Sequence, residues 1–353
     1  MRIETAHPKE LGATEIALWR SHQRDNADLL SPYFAPEWAQ IVGAARDDAR
    51  VCIIDGGAGF FAAQRLSRFA AMGIGAPICD YQGVVGAPAD AAALCRALKV
   101  GRVDLTHVPA SQSLLTGSVA GEDGSWIAQT AGGRDLYLAA VKARRSEFLS
   151  KTDKKQRKFE REHGRLEFRA NVRESSDFET LLNWKNAQLA RSGQPEIWAT
   201  PWVRRVLEDC FNSQSPTFSG ALFTLTVDGR PAAGAFFLRA GPVMHAWVIA
   251  HDNDFDAYSP GLLLARWAVC WAAENGVAEV DFGPGADSQY KRQLSTTQRL
   301  IVWGAAGGAT LSKTVRRTAF ALRAGIERLP QPRLAALPGK AMRKLDLMRA
   351  LAA

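Results

Sequence analysis

Apolar and polar positions along the chain follow two different periods, and the changes between them predict a series of strands and helices. Apolar runs near 51–54 and 223–227 each lead into an Asp-Gly pair, small residues and two phenylalanines. Asp-Gly between apolar runs is a strong hairpin signal, because the central residues of a tight turn need positive φ. The pattern therefore predicts hairpins at Asp55-Gly56 and Asp228-Gly229.

The two hairpins are followed by the same succession of predicted elements. Helices are expected over 89–99 and 261–274, and each ends at a glycine, Gly101 or Gly276. Each glycine leads into a short strand that contains an aspartate, Asp104 or Asp281. We expect two similar α/β domains in tandem, over 1–145 and 146–310, followed by a basic helical tail over 311–353. The alternative is a chance likeness between two common motifs.

Two further helical regions are predicted from charge and periodicity. Residues 146–163 form a basic helix with few apolar positions, so one of its faces is expected in water. In the tail, apolar residues recur beside arginines at spacings typical of an amphipathic helix, and a second short helix follows over 340–352. The recurring apolar residues are Leu311, Val315, Ala319, Leu322, Ile326 and Leu329.

Length and composition exclude several classes of protein. The chain has 353 residues, 47% of them hydrophobic and 23% charged, which excludes disorder over the whole length. No apolar run is long enough to span a bilayer, and the first residues lack the apolar stretch of a secretory signal. The five cysteines lie far apart, which argues against a zinc site or a disulfide framework. We expect a cytoplasmic protein.

The net charge of +8 is concentrated in the tail. Residues 311–353 contain ten Lys or Arg and two acids, whereas the rest of the chain is balanced. This distribution indicates a local electrostatic attachment, and no specific nucleic acid is expected. Arg316, Arg317 and Arg323 could hold an anionic inner membrane leaflet, with the protein peripheral to it, or a cyclic dinucleotide. The alternative is a tail helix that packs on the second domain with its charged face in water.

Tyr258-Ser259-Pro260-Gly261 begins the predicted helix 261–274 directly after an apolar strand. Ser259 is a suitable N-cap, and Pro260 suits the first helical turn. Free amides and the positive end of the helix dipole make such a start a candidate seat for a phosphate. The alternative is that these residues only begin a core helix.

A second polar cluster follows the strand that contains Asp281. The glycine-rich turn 283–285 and then Tyr290-Lys291 come after it, where α/β sheets commonly bind ligands. Asp281 could deprotonate a nucleophile, Tyr290 could donate a proton and Lys291 could hold a phosphate. In the alternative, Asp281 caps the turn and Tyr290 packs through its ring. His245, on an apolar strand, is either a base or a hydrogen-bonded core residue.

Four segments together resemble the CelD/BcsL-type acyltransferases of the GNAT superfamily, which are similar to the Fem aminoacyltransferases. They are S-P-Y-F-A-P-E-W at 31–38, K-x-x-x-K-x-x-R-K from 151, Y-S-P-G-L-L-L at 258–264 and D-F-G-P-G…Y-K at 281–291. The resemblance covers about residues 12–305. It implies an α/β (α+β) fold of two tandem GNAT-like domains, each a mixed, mostly antiparallel sheet flanked by helices.

The resemblance also implies an N-acyltransferase that uses acetyl-CoA or another acyl-CoA and needs no metal. The pyrophosphate of the donor would bind at Tyr258, Ser259, Pro260, Gly261 and Leu262. Tyr290 would protonate the departing thiolate, and His245 or Asp281 would be the base.

The acceptor implied by the resemblance is the amine of an amino sugar, or of a lipid-linked saccharide, in exopolysaccharide or holdfast-like adhesin biosynthesis. Lys151, Lys155, Arg157 and Lys291 would contact it, although a run of charges is also typical of a solvated helix face. Two alternatives remain: a Fem-like transferase that uses aminoacyl-tRNA, and an inactive GNAT scaffold that binds a nucleotide signal or a partner through its tail.

Overall fold

A computed structural model describes residues 1–285, 288–328, 330 and 332–352, except for the side chains of 332–336. Ala286 and Asp287 of the predicted site loop and Leu329 of the predicted tail stripe lie outside the described residues. The chain forms two compact units, one of residues 1–123 with 300–353 and the other of residues 124–299. Both units are mixed α/β structures in which helices flank a sheet, as predicted.

The elements are numbered along the chain. The strands are β1 (Ile3–Ala6), β2 (Ala49–Ile54), β3 (Gly59–Gln64), β4 (Ala71–Gly73), β5 (Val84–Gly86), β6 (Val103–Pro109), β7 (Val119–Gln129), β8 (Leu166–Val172), β9 (Ser219–Val227), β10 (Arg230–Ala240), β11 (Val243–His251), β12 (Glu279–Asp281) and β13 (Thr297–Ala306). The α-helices are α1 (Ala13–Arg24), α2 (Pro36–Ala45), α3 (Ala91–Leu98), α4 (Arg134–Arg144), α5 (Ser146–His163), α6 (Ser175–Arg191), α7 (Pro201–Asn212), α8 (Pro260–Glu274), α9 (Gln289–Leu294), α10 (Leu311–Glu327) and α11 (Pro332–Leu351).

The two units repeat one order of elements. In the first, β1 pairs with β2, β2 with β3 and β3 with β4, all antiparallel, and β4 runs parallel to β6 across α3. In the second, β8, β9, β10 and β11 pair antiparallel in turn, and β11 runs parallel to β12 across α8. Two helices stand between the first two strands in both, namely α1 and α2 or α6 and α7. The tandem repeat predicted from the sequence is therefore present.

Both predicted hairpin turns form, and both aspartates make the same contact. Asp55 and Asp228 have the same positive φ of 44°. Asp55 Oδ1 accepts a hydrogen bond from the amide of Arg2 at 2.6 Å, and Asp228 Oδ1 accepts one from the amide of Arg165 at 2.8 Å. Each aspartate therefore joins its turn to the first strand of its unit, as well as permitting the turn.

The unit boundaries differ from the predicted boundaries at 145/146 and 310/311. β7 follows β6 along the chain, yet residues 127–129 of β7 pair with β12 in the second unit. β13 follows β12, yet residues 301–306 of β13 pair with β6 in the first unit. Each unit thus contains a strand from the far end of the other repeat. The hydrophobic pattern of a strand does not specify its pairing partner, so the sequence predicted consecutive domains.

The tail helix α10 turns its apolar stripe outward, contrary to the alternative in which its charged face lies in water. Leu311, Val315, Leu322 and Ile326 are exposed, whereas Phe320 is buried on the inward face of the helix. The tail belongs to the first unit, not to the second domain as the packed alternative expected, and α11 begins eight residues before the predicted position 340. Among the described residues, none of the helices has the length and apolar character needed to cross a membrane.

Candidate functional site

The sheet of the second unit opens between β11 and β12. The two strands pair at three positions, from Val243 opposite Glu279 to His245 opposite Asp281. β12 then ends, but the residues that follow remain hydrogen-bonded to Trp126 of β7. The Phe282 amide donates to the Trp126 carbonyl, and the Trp126 amide donates to the Gly283 carbonyl. β11 continues to residue 251. Among the described residues, β11 beyond His245 is therefore not paired with β12, and this unpaired stretch, called the opening below, is a candidate place for an extended ligand.

His245 and Asp281 lie side by side where this pairing ends. His245 Nδ1 is 3.8 Å from Asp281 Oδ1, and both side chains are fully buried. Asp281 Oδ1 also accepts from the Ser125 hydroxyl at 2.6 Å and from the Gly283 amide at 2.7 Å, and Arg299 lies 3.5 Å from Oδ2. The carboxylate thus fixes the turn after β12, which corresponds to the capping role that the sequence left open.

Ser259 occupies the N-cap position of α8 as predicted, but its side chain does not cap the helix. Ser259 has a left-handed conformation, with φ of 53°. Among the described residues, no amide of the first turn donates to its hydroxyl, which instead accepts from Lys155 Nζ at 2.7 Å. Pro260 occupies the first turn as predicted, and a Cβ on Gly261 would lie 3.3 Å from His251 Nδ1. The first turn therefore carries a lysine ammonium beside its amino end.

Helix α5 packs against the residues that precede α8. The ring of Tyr258 stacks on Phe159 with centroids 4.6 Å apart, and its hydroxyl donates to Glu162 Oε2 at 2.7 Å. This hydrogen bond raises the pKa of Tyr258. Lys158 Nζ lies 5.5 Å from the centre of the same ring. The basic helix predicted over 146–163 thus contributes cations next to the amino end of α8.

The other residues predicted to contact an acceptor are placed separately. Lys151 pairs with Glu147 one turn earlier on α5, and Arg157 is exposed. Lys291, on α9, donates a 2.7 Å hydrogen bond to the carbonyl of Pro284 in the glycine-rich turn. The half-buried ring of Tyr290 packs edge-to-face on Phe282, with centroids 6.1 Å apart. Lys291 and Tyr290 therefore belong to the opening, whereas Lys151 and Arg157 belong to the outer face of α5.

Lys185 is a residue of this region that the sequence analysis missed. Its ammonium donates to the carbonyl of Ile249, in the part of β11 beyond the paired positions, at 3.4 Å. Burial, with a smaller contribution from the charge of Lys291, lowers the pKa of Lys185. The sequence does contain a signal for this residue: Lys185 is one turn after Leu181, so a lysine interrupts the apolar stripe of α6.

The corresponding position of the first unit is occupied by an ion-pair network. Met72 and Asp104 form the last pair between β4 and β6, as His245 and Asp281 do between β11 and β12. Asp104 forms ion pairs with Arg102 and Arg316. A cavity of about 450 Å³ adjoins this network, lined by His107 and Trp303 among others.

The three tail arginines predicted to share one ligand do not share one environment. Arg316 is bound by Asp104 and Asp346. Arg323 pairs with Glu327 and lies over the ring of Trp303, 4.9 Å from its centre. Arg317 is exposed.

The potential metal ligands and the thiols of the described part of the chain are dispersed or buried. There, no group of three or more His, Cys, Asp or Glu side chains could hold a metal ion. All five cysteines are free and buried. Burial raises the pKa of Cys52 and of Cys79 to about 12, so these thiols stay protonated at neutral pH.

Residues 146–292 match the acetyltransferase (GNAT) domain family. No curated protein matches the chain. Among solved structures, FemX is similar with a TM-score of 0.57 and 14% identity, over 86% of this chain and 96% of that chain. The C-terminal domain (DUF2156) of an Agrobacterium fabrum protein assigned as a lysylphosphatidylglycerol synthetase has a TM-score of 0.55 and 11% identity, over 88% of this chain and 96% of that chain.

A conserved Bacteroides thetaiotaomicron protein of unknown function is similar to a comparable degree, with a TM-score of 0.53 and 14% identity over 83% of this chain and 97% of that chain. At such identities the likeness concerns the fold, and it extends over both units. Residues 146–292 therefore match a GNAT acetyltransferase domain, and the chain as a whole has the fold shared by FemX and the DUF2156 domain.

Proposed function

We propose that the second unit transfers an acyl group from acyl-CoA, most simply acetyl-CoA, to an amine. The observation that carries the proposal is the end of the pairing between β11 and β12 after His245 and Asp281, together with a lysine-bearing helix start at Ser259. The unpaired stretch of β11 can accept the extended pantetheine arm by hydrogen bonds to its amides. The amino end of α8 and the ammonium of Lys155 can bind the pyrophosphate.

The proposed chemistry needs few groups. The neutral amine attacks the thioester carbon, the C–S bond breaks as the C–N bond forms, and the thiolate takes a proton from the Tyr290 hydroxyl. Holding donor and acceptor together can supply about 7–11 kcal/mol of the barrier reduction, so a catalytic triad is not required. His245 is the proposed acceptor of the amine proton through water, because the Asp281 carboxylate is already held by Ser125 and Gly283.

The proposed acceptor is the amine of an amino sugar, free or lipid-linked, of the kind used in exopolysaccharide or holdfast-like adhesin biosynthesis. Lys185 and Lys291 support it, since two ammonium groups near the opening suit a phosphorylated acceptor. Lys151 and Arg157 are proposed as outer contacts with the same anionic group.

The proposal is tested by calorimetric titration of the full chain with acetyl-CoA, longer acyl-CoAs and CoA, followed by transfer assays with phosphorylated amino sugars. We expect CoA compounds to bind and the substitution Gly261→Val to weaken binding about tenfold or more, because its side chain would press on His251. Transfer that requires aminoacyl-tRNA and ignores acyl-CoA would support the Fem-like alternative. Absence of binding to any CoA compound would support the inactive scaffold.

A further inference from the structure

We propose that the two tail helices α10 and α11 attach the first unit to the surface of an anionic phospholipid membrane. This inference concerns a different part of the molecule from the proposed acyltransfer site and does not depend on it. It begins with the orientation of α10, whose apolar stripe faces outward.

Helix α10 exposes four large apolar side chains on one face. Leu311, Val315, Leu322 and Ile326 are 80%, 60%, 63% and 37% exposed. Their spacing of four, seven and four residues returns each time to nearly the same side of a helix. Scattered exposed apolar residues are ordinary on protein surfaces, but a continuous stripe of this kind is typical of an interaction surface.

Helix α11 adds a second exposed apolar face with cations beside it. Leu337, Leu345 and Met348 are exposed on this helix, which packs against α10. Lys340 and Lys344 are also exposed, and they fall next to this face at helical spacing. Apolar side chains bordered by lysines are the pattern of helices that lie in the plane of a membrane interface.

The outward orientation is fixed by polar contacts on the inward faces of both helices. Arg316 binds Asp104 of the sheet and Asp346 of α11. The hydroxyl of Thr310, at the start of α10, donates to the carbonyl of Gly101 at 2.6 Å. Near the end of α11, the carbonyl of Ala350 accepts from Arg46 at 3.1 Å. Rotating α10 to bury its apolar stripe would break the Arg316 ion pairs.

The positive charge of the exposed tail surface favours an anionic membrane, rather than a second copy of the chain, as its binding partner. Of the two acids in the tail, Glu327 is paired with Arg323 and Asp346 with Arg316. The exposed cations are Arg317, Arg328, Lys340, Arg343, Lys344 and Arg349. Two such surfaces placed face to face would repel each other, whereas anionic headgroups neutralise the cations while the apolar side chains insert.

The test is sedimentation of the full chain with vesicles of phosphatidylcholine mixed with phosphatidylglycerol, compared with vesicles of phosphatidylcholine alone. We expect at least about tenfold stronger binding to the anionic vesicles, reduced by added salt. The double substitutions Val315→Ser with Leu322→Ser and Lys340→Gln with Lys344→Gln should each weaken binding at least about fivefold. The matched control is Leu136→Ser, which removes an equally exposed leucine from α4 in the other unit.

Equal binding to both kinds of vesicle, or unchanged binding of both double variants, would overturn the proposal. Analytical ultracentrifugation without lipid tests whether the apolar stripe binds a second copy of the chain instead. A dimer that dissociates in the Val315→Ser, Leu322→Ser variant would assign the stripe to a second copy and also overturn the proposal. The substituted side chains are exposed, and circular dichroism of each variant verifies that it remains folded.

Discussion

The ammonium of Lys155 on α5 donates a 2.7 Å hydrogen bond to the hydroxyl of Ser259 at the amino end of α8. The two residues are more than a hundred positions apart along the chain, and neither charge pattern nor helix capping predicted their contact. The contact places a cation at the amino end of the helix, beside the positive end of its dipole. In the proposed acyltransferase, this is the place for the donor pyrophosphate.

Replacing Lys155 by methionine should weaken binding of acetyl-CoA. Methionine keeps the aliphatic packing but removes a charged donor, and we expect a loss of about 1–2 kcal/mol, or roughly five- to thirtyfold in Kd. Isothermal titration calorimetry with acetyl-CoA measures the change. Lys151→Met is the matched control on the same helix, and we expect its Kd to equal that of the unmodified chain. Equal affinities of both variants for acetyl-CoA would show that the pyrophosphate does not bind at Lys155.

Replacing Tyr290 by phenylalanine should lower kcat by about a hundredfold and leave the Kd for acetyl-CoA unchanged, since a proton donor is lost and the ring remains. The loss should shrink with a synthetic acyl donor whose thiol has a low pKa, because such a leaving group needs no proton. Steady-state rates with both donors give the comparison. An equal loss with both donors would show that Tyr290 acts by packing on Phe282 instead.

Asp281 is expected to be a positioning residue, and Asp281→Asn separates that role from a catalytic one. The amide keeps an oxygen for Ser125 and Gly283 but loses the charge opposite Arg299. We expect the free energy of unfolding to fall by about 2–3 kcal/mol, while kcat stays within about threefold. Urea denaturation and initial rates measure the two quantities. A kcat loss of about a hundredfold with unchanged stability would restore Asp281 as the base.

The elements of this fold could be predicted from sequence where the determinants are local. Helix α5 begins and ends at Ser146 and His163 as predicted, because its termini follow from nearby residues and a glycine. The turns at Asp55 and Asp228 form because few sequences adopt their positive φ values. These features depend on neighbours along the chain.

The parts that the sequence did not predict depend on distant partners. The pairing of β7 with β12 and of β13 with β6 depends on which strand edge each one meets. The sequence of a single strand does not specify that edge. The orientation of α10 is decided by Asp104 on a distant strand, which draws Arg316 inward and leaves Leu322 outside. Periodicity identified the apolar stripe correctly, but only the partner decides which side of the helix is buried.

Replacing Arg316 by methionine should destabilise the chain far more than the same change at Arg317. Arg316 lies between Asp104 and Asp346 with its side chain 12% exposed, so its loss leaves two carboxylates without their common partner. We expect the free energy of unfolding to fall by about 2–4 kcal/mol in Arg316→Met and by no more than about 0.5 kcal/mol in Arg317→Met. Urea denaturation measures both. Equal effects would mean that the ion pairs do not hold the tail.

Lys185 should make the stability of the chain rise with pH on the alkaline side. Burial lowers its pKa below the ordinary 10.5, so between the two values the unfolded chain binds more protons than the folded one. In that window unfolding takes up protons, and the free energy of unfolding therefore increases as pH rises. Below the lowered pKa both states are protonated, and the full cost of burying the ammonium is present.

Two substitutions at Lys185 isolate this effect from every other titrating group. Methionine carries no proton at any pH, and arginine keeps its proton throughout, so neither variant changes protonation at this site on unfolding. Over the alkaline range up to the ordinary pKa of 10.5, the unmodified chain should therefore gain stability relative to both variants with the same slope. The size of the difference in free energy of unfolding should not be the same for the methionine and the arginine variant, because only arginine retains the buried charge. Urea denaturation across this range measures the differences, and a difference that does not change with pH would show that the ammonium of Lys185 is as well solvated in the folded chain as in the unfolded one.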